Sequence, residues 1–372
     1  MDLLNRKVSL SENFTGEVNL MKPVLRYSGN PIMTPDMVNR VWEDPSLQVI
    51  TVHNAGIAWH NNKTIMLFRS HLRNGISIIG VARSIDGLSQ WSISPQPALV
   101  PAKKSDLFAP GVDVDAQIEM ESGGVEDPRI SQIGNEYAIT YSAYHNKIKN
   151  RVRVCLATTT DFESFVRWGP MLEQDMRNVV IYPRPYSEGY AALFRPNDIT
   201  AGDVGGIFTQ IVIGFSDDWR RGPWKIIDEP IMKTGGGPNT FSDKIGPGAP
   251  PMETPDGWLS IFHGVRTTMA GNPYSLGVVL QDYDIWSKVY MSSIPILFPT
   301  AADCRLPEDA YIHVPQVVFT CGALRFQNGT IVIYYGGNDT VMNCALSHET
   351  VLVSLCKQYG RDSHTGDLFN NL

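Results

Sequence analysis

Apolar positions in this chain do not recur at the three-to-four spacing of an amphipathic helix. They gather in short runs rich in β-branched and aromatic residues: Thr64-Ile-Met-Leu-Phe-Arg69, Tyr137-Ala-Ile-Thr-Tyr-Ser142, Tyr190-Ala-Ala-Leu-Phe-Arg195, Trp258-Leu-Ser-Ile-Phe-His263 and Thr330-Ile-Val-Ile-Tyr-Tyr335. Runs of this length and composition predict strands. Each follows a turn signal, in order Asn61-Asn62, Gly134-Asn135, Glu188-Gly189, Asp256-Gly257 and Asn328-Gly329, so each strand is entered from a tight hairpin. Further along each unit a second feature recurs, a strand that ends in a small polar residue and an Asp, with a Trp a few residues on. The examples are Val81 to Asp86 with Trp91, Leu156 to Asp161 with Trp168, Ile213 to Asp217 with Trp224, and Val278 to Asp282 with Trp286. Cys344-Ala-Leu-Ser347 ends a fifth unit without the Asp and Trp. Five such units point to an all-β chain, a five-bladed β-propeller whose radial sheets protect their own edges. A two-sheet sandwich is the competing arrangement. Residues 1–30 lie outside the repeat as an N-terminal arm, 31–356 form the propeller, and 357–372 form a polar C-terminal tail, ending Asn370-Asn371-Leu372, expected to fray.

Composition narrows the class. With 372 residues, 43% hydrophobic and 19% charged, the chain has a core to bury and is not disordered. A net charge of −7 argues against a nucleic-acid partner, which demands a surplus of Lys and Arg on one face. An anionic ligand therefore has to be met by a local cluster of cations. No run is long enough to span a membrane and the first residues lack a secretory pattern, so a cytoplasmic protein is expected. The five cysteines, Cys155, Cys304, Cys321, Cys344 and Cys356, are never in a C-x-x-C pair and suit reduced thiols better than disulfides or metal. Lys233-Thr234 precedes Gly235-Gly-Gly237, the reverse of a phosphate-binding P-loop, and reads as a plain loop.

In a propeller the chemistry sits where the inner strands converge, so polar residues at strand ends draw the eye. The foremost is Gly123-Gly-Val-Glu-Asp-Pro-Arg-Ile130, two carboxylates and an arginine around a proline. Its plain structural reading is a turn whose Asp caps backbone amides and whose Arg129 pairs with Glu126. The others are Asn54, Arg69, Arg177-Asn178, Arg195, Lys244 before Ile-Gly-Pro-Gly-Ala-Pro-Pro251, His263-Gly264, Tyr274 and Asp339 in Tyr-Tyr-Gly-Gly-Asn-Asp-Thr340. Together with Tyr274-Ser-Leu-Gly277 and Val317-Val-Phe-Thr-Cys-Gly322, these motifs, in this order from about Asn30 to Ala345, resemble glycoside hydrolase family 130, the β-mannoside phosphorylases and a few β-mannosidases.

The resemblance implies a five-bladed propeller with Asp127 as the sole catalytic acid and Asn54, Arg69 and Asp339 holding the mannosyl unit. It implies that Arg177, Asn178, Arg195, Lys244, His263 and Tyr274 hold inorganic phosphate. Chemically the set suits the task, since guanidinium forks and an ammonium bind a dianion and neutral donors orient it. The implied reaction is inverting: phosphate attacks C1 of a terminal β-mannosyl unit and α-mannose 1-phosphate leaves, with the proton of Asp127 passing through the mannose 3-hydroxyl. Phosphate needs no activating base, whereas an inverting hydrolase needs a second carboxylate. Glu126 resembles the branch acting on β-1,2-mannosides or mannosyl-chitobiose more than the mannosylglucose branch, and a β-1,2-mannooligosaccharide is the leading substrate. The protozoan mannosyltransferase/phosphorylase branch is the other candidate. The stretch Arg177-Asn-Val-Val-Ile-Tyr-Pro-Arg184 and Ala55 depart from common family forms and leave the acceptor open. Glu126, adjacent to Asp127 in an extended entry, is expected to point to the opposite side. No metal or cofactor is implied, and residues 1–30 suggest a homo-oligomer. A sugar-nucleotide mannosyltransferase, a β-mannosidase and a non-catalytic glycan-binding propeller stand as alternatives.

Overall fold

At Asn61-Asn62 both residues take positive φ, 48° and 59°, the turn geometry that matches strand twist. The chain returns there as strand Lys63–His71 against His53–His60. The other four predicted strands fall within Glu136–Tyr144, Tyr190–Pro196, Gly257–Val265 and Thr330–Gly337. The computed structural model describes residues 17–148, 151–197, 209–235, 240–269, 271–284 and 288–365. Trp286, Gly237, residues 1–16 of the expected arm and 366–372 of the expected tail lie outside them.

The chain is all-β in class. Each predicted strand is the second of an antiparallel meander, and five meanders follow one another. The first is His53–His60, Lys63–His71, Ser77–Ser84 and Ser92–Ile93. The second is Gly124–Ile133, Glu136–Tyr144, Val152–Thr159 and Val166–Pro170. These two share one nine-stranded sheet, joined by the single parallel pair Ser77 and Gly124. The third runs from Met176–Ile181 to Lys225–Ile226, the fourth from Lys244–Thr254 to Val289–Ser292, and the fifth from Val318–Arg325 to Val341–His348.

The strands are buried on both faces, which is why their sequences are continuous apolar runs and not alternating ones. In Lys63–His71, Ile65 and Leu67 pack with Ile139 and Tyr141 of the second meander, while Met66 and Phe68 pack with Val332 and Tyr334 of the fifth. Further apolar clusters join second to third, third to fourth and fourth to fifth. The first strands of the meanders also touch in cyclic order, fifth against first included. Small residues permit this approach: a Cβ on Gly322 would lie 2.6 Å from the backbone nitrogen of Ile57, and one on Gly56 2.7 Å from the carbonyl oxygen of Pro128.

The small-polar and Asp feature is a turn between third and fourth strands. Asp86 Oδ1 accepts the amides of Leu88 and Ser89, and Asp161 Oδ1 those of Glu163 and Ser164. In the third meander Asp218, not the expected Asp217, does this for Arg220 and Arg221. Described residues on either side of the expected propeller pair with its strands. Leu25–Arg26 pairs antiparallel with Ala345 and Leu346 and adds a fourth strand to the fifth meander. Glu349–Tyr359 is an α-helix that runs through the boundary placed at residue 356, and Gly360–Asp362 pairs with Val289–Ser292. Leu352, Val353, Leu355 and Cys356 of that helix are buried, so Lys357 begins no fraying tail. None of the described helices is long and apolar enough to cross a membrane.

Candidate active site

The first strands of all five meanders carry a β-bulge near their start. In the first three the bulge puts a non-glycine residue at positive φ: Asn54 at 48°, Asp127 at 51° and Asn178 at 58°. Bulges re-aim side chains out of the alternating pattern. Here they turn three polar residues at equivalent positions toward the same end of the sheets. Across the ladder from the preceding residue stand Arg69, Ser142 and Arg195, so a second set of polar side chains arrives from the second strands.

Asp127 Oδ1 accepts a hydrogen bond from Asn54 Nδ2 at 3.0 Å and from Arg69 Nη1 at 2.9 Å. Burial alone would raise its proton affinity, but Arg69, Arg129 and the Asn54 bond hold the carboxyl well below the usual range. That favours its ionised form. Arg69 reaches Glu126 Oε1 through Nη2 at 2.7 Å, and the same Nη2 lies 3.0 Å from His71 Nε2. Arg69 can only donate, so His71 Nε2 is the acceptor and that ring is neutral. Burial, then Arg69, also push the His71 imidazole down. Glu126 Oε1 takes a further bond from Ser77 Oγ at 2.7 Å. Asp339, at φ 48° in the turn after Thr330–Gly337, places Oδ1 3.3 Å from His53 Nδ1. Thus Asn54, Arg69 and Asp127 meet directly. Asp339 adjoins them through His53, the cross-strand neighbour of Arg69.

Two expectations about this loop are overturned. Glu126 does not point away from Asp127, because the bulge between Glu126 and Arg129 breaks the alternation and one guanidinium holds both carboxylates. Arg129 does not pair with Glu126. It is buried and donates to the carbonyls of Gly248, Pro247 and Asp127 at 2.9, 3.1 and 3.0 Å, tying the bulge to strand Lys244–Thr254.

The remaining six candidates converge from the third and fourth meanders. Arg177 and Arg195 are direct cross-strand neighbours. Asn178 Nδ2 lies 3.3 Å from His263 Nε2, and Lys244 Nζ donates to the Tyr274 hydroxyl at 2.6 Å. Gly246 makes room for two of them, since a Cβ there would sit 2.6 Å from His263 Cε1 and 3.0 Å from Arg195 Cδ. Among the described residues, no carboxylate forms an ion pair with Arg177, Arg195 or Lys244. The Nε atoms of both arginines and Nδ1 of His263 are buried without a hydrogen-bond partner. Burial, then Arg195 and Arg177, push the Lys244 ammonium down to about 7. Burial, then Arg177, push Arg195 down to about 10, and burial, then Arg195, keep His263 neutral. Chemically this is a cradle for an anion that is not the protein's own.

Tyr144, His71 and His53 also belong to the site. His71 and Tyr144 stand two residues beyond Arg69 and Ser142 on second strands. The i, i+2 rule that places such residues on one face was the signal that could have found them.

The profile of the Glyco_hydro_130 family, described as beta-1,4-mannooligosaccharide phosphorylase, matches residues 29–358. The 1,2-beta-oligomannan phosphorylase of Thermoanaerobacter sp. (strain X514) is 30% identical over 86% of this chain and 96% of that protein. The beta-1,2-mannobiose phosphorylase of Listeria innocua is 26% identical over 89% of this chain and 98% of its own length. The structure of the Listeria innocua beta-1,2-mannobiose phosphorylase in complex with beta-1,2-mannobiose superposes with a TM-score of 0.72 at 24% identity, covering 90% of this chain and 99% of the other. A structure described with glycoside hydrolases of the same family, which target beta-1,2 mannosidic linkages in Candida mannan, superposes with a TM-score of 0.69 at 18% identity, covering 88% and 94%. The chain belongs to glycoside hydrolase family 130.

Proposed function

We propose that the protein is an inverting β-mannoside phosphorylase acting on β-1,2-mannooligosaccharides, with Asp127 as acid. The observation that carries this reading is the trio Arg177, Arg195 and Lys244, one buried and two half-buried, which among the described residues has no carboxylate partner, beside an acid that is paired with Arg69. A hydrolase needs no such trio. Asn54, Arg69 and Asp339 hold the mannosyl unit, and Arg177, Asn178, Arg195, Lys244, His263 and Tyr274 hold phosphate. A phosphate oxygen attacks C1 as the β-glycosidic C1–O bond breaks. Asp127, protonated for this step, passes its proton to the leaving oxygen through the mannose 3-hydroxyl, and the proton that hydrogen phosphate brings makes good the one spent, so that α-mannose 1-phosphate and a shortened acceptor result. In the reverse direction the Asp127 carboxylate, the form its arginine neighbours favour, takes the proton of the acceptor hydroxyl. The relatives named for β-1,2 linkages support that substrate.

The meanders are proposed as the five blades of a propeller, the fifth completed by Leu25–Arg26. Strands buried on both faces and the fifth-to-first apolar cluster favour this over a sandwich, which would leave one face of each sheet in water. Five free cysteines, four of them buried, fit a reducing cytoplasm.

The test is β-1,2-mannobiose with and without phosphate, followed by proton NMR of the first products. Phosphate-dependent α-mannose 1-phosphate is expected. Mannose released at equal rate without phosphate makes the protein a hydrolase. Transfer from a sugar nucleotide alone makes it a mannosyltransferase. The β anomer would show retention, with Glu126 the carboxylate to suspect because Arg69 gathers it beside Asp127.

A further inference from the structure

We propose that Tyr144 is a positioning residue for the nucleophile: its ring face seats the Arg177 guanidinium and aims it before phosphate arrives. This rests on the reading of Arg177 as a phosphate ligand given above.

Arg177 is poorly placed by its other neighbours. The residue directly across the ladder is Arg195, of the same charge, and that repulsion helps to depress Arg195. Among the described residues no carboxylate pairs with Arg177, and its Nε is buried without a hydrogen bond. Left to the charge of Arg195 alone, the guanidinium would turn toward water. What stands over it is the Tyr144 ring, 5.1 Å from the guanidinium carbon to the centroid, within the range of a cation–π contact. The seat is rigid because Tyr144 ends a strand. It pairs with Gly124 on one side and Val152 on the other, and its carbonyl accepts the amide of Gly123 at 2.7 Å. It belongs to the meander that carries Asp127, whereas Arg177 belongs to the next. The contact therefore ties the sheet of the acid to the sheet of the nucleophile, and misplacement of the phosphate relative to C1 is costly for in-line attack. Burial, then Glu126, push the Tyr144 phenol up, so the ring stays neutral and its face available.

Binding of inorganic phosphate by calorimetry, with phosphate KM and kcat, is measured for the unmodified protein, Tyr144→Phe, Tyr144→Leu, Arg177→Ala and the Tyr144→Leu/Arg177→Ala double variant. Tyr144→Leu is expected to weaken phosphate about tenfold, the worth of a half-buried cation–π contact, with a smaller change in mannoside KM. Tyr144→Phe keeps the ring and stays within about twofold. In the Arg177→Ala background, Tyr144→Leu adds no further loss, because the two act as one unit. Unaltered phosphate binding in Tyr144→Leu, or an equal loss with Arg177 already absent, overturns the proposal. Equal damage from Tyr144→Phe and Tyr144→Leu assigns the effect to the hydroxyl and also overturns it. An unmodified protein that binds no phosphate overturns the phosphorylase reading itself, and the seat with it.

Discussion

Asp127 and Lys244 are pulled away from their ordinary proton affinities by opposite surroundings, and the consequences can be measured separately. Asp127 is held ionised by Arg69 and Arg129 against its burial. Asp127→Asn keeps its shape and loses proton transfer, so phosphorolysis is expected to fall by about 10²- to 10⁴-fold while phosphate still binds. Near-normal kcat in that variant would sink the assignment. Lys244 is pushed down to about 7 by burial, then by Arg195 and Arg177. Below that value it is charged and ready for an anion, and above it the amine is neutral until an anion brings the proton back. Burial raises Tyr274, burial and Arg195 keep His263 neutral, and Arg195, though pushed down to about 10, is charged near neutrality, so Lys244 alone of these changes charge just above neutrality. Sulfate serves as a probe of constant charge. Its binding should weaken toward tenfold for each pH unit above about 7, the slope of a single linked proton. Lys244→Arg stays charged throughout and should flatten that profile. A flat profile in the unmodified protein refutes the linkage.

At the scale of elements, the site is built by one device repeated. A bulge at the start of a first strand lifts a polar residue out of register, and the facing second strand supplies another from the position after an aromatic residue, as in Phe68-Arg69, Phe194-Arg195 and Phe262-His263. This repetition explains how much was legible in the sequence. The hairpin turns announce the strands, and the polar residues that end each aromatic run announce the site. Bulges leave no such mark, so the side of the sheet taken by Glu126 was misjudged. Helix Glu349–Tyr359 was missed because Thr350, Val351 and Val353 favour extended backbone, and only packing of Leu352, Leu355 and Cys356 overrides them. The strand Leu25–Arg26 has two residues and no periodicity to read. What holds it is a buried carboxylate: Asp303 accepts from Arg26 Nε at 2.7 Å, the Tyr335 hydroxyl at 2.7 Å and the Thr300 amide at 2.7 Å. Arg26→Met should cost about 3–5 kcal/mol, because it leaves the fully buried Asp303 carboxylate without its cation. Asp303→Ala should cost less, about 1–3 kcal/mol, because the guanidinium it leaves is partly in water and only the hydrogen bonds to the carboxylate are lost. Denaturant midpoints measure both, and an Asp303→Ala protein as stable as its parent would show that the first strand needs no such anchor.

At the scale of the whole molecule, an acidic chain of net charge −7 keeps three cations together without carboxylate partners. Their mutual repulsion, visible in the lowered proton affinities of Lys244 and Arg195, opposes folding. The five shared apolar clusters outweigh that cost, each buried Leu, Ile or Phe contributing about 1.5–3 kcal/mol. A site held under such tension gives up stability for function, and its own ligand should restore it. Because phosphate binds the folded chain and not the unfolded one, a concentration about a hundred times Kd should add about 2.7 kcal/mol. In thermal melts this appears as a rise of a few degrees over chloride at matched ionic strength, which removes general screening from the comparison. Lys244→Met relieves the repulsion, so it should melt higher than the parent without phosphate and lose most of the phosphate-induced rise. Were phosphate to raise the melting temperature no more than chloride does, or Lys244→Met to melt lower and keep the full rise, the cations would be ordinary structural charges and the cradle would have to be sought elsewhere.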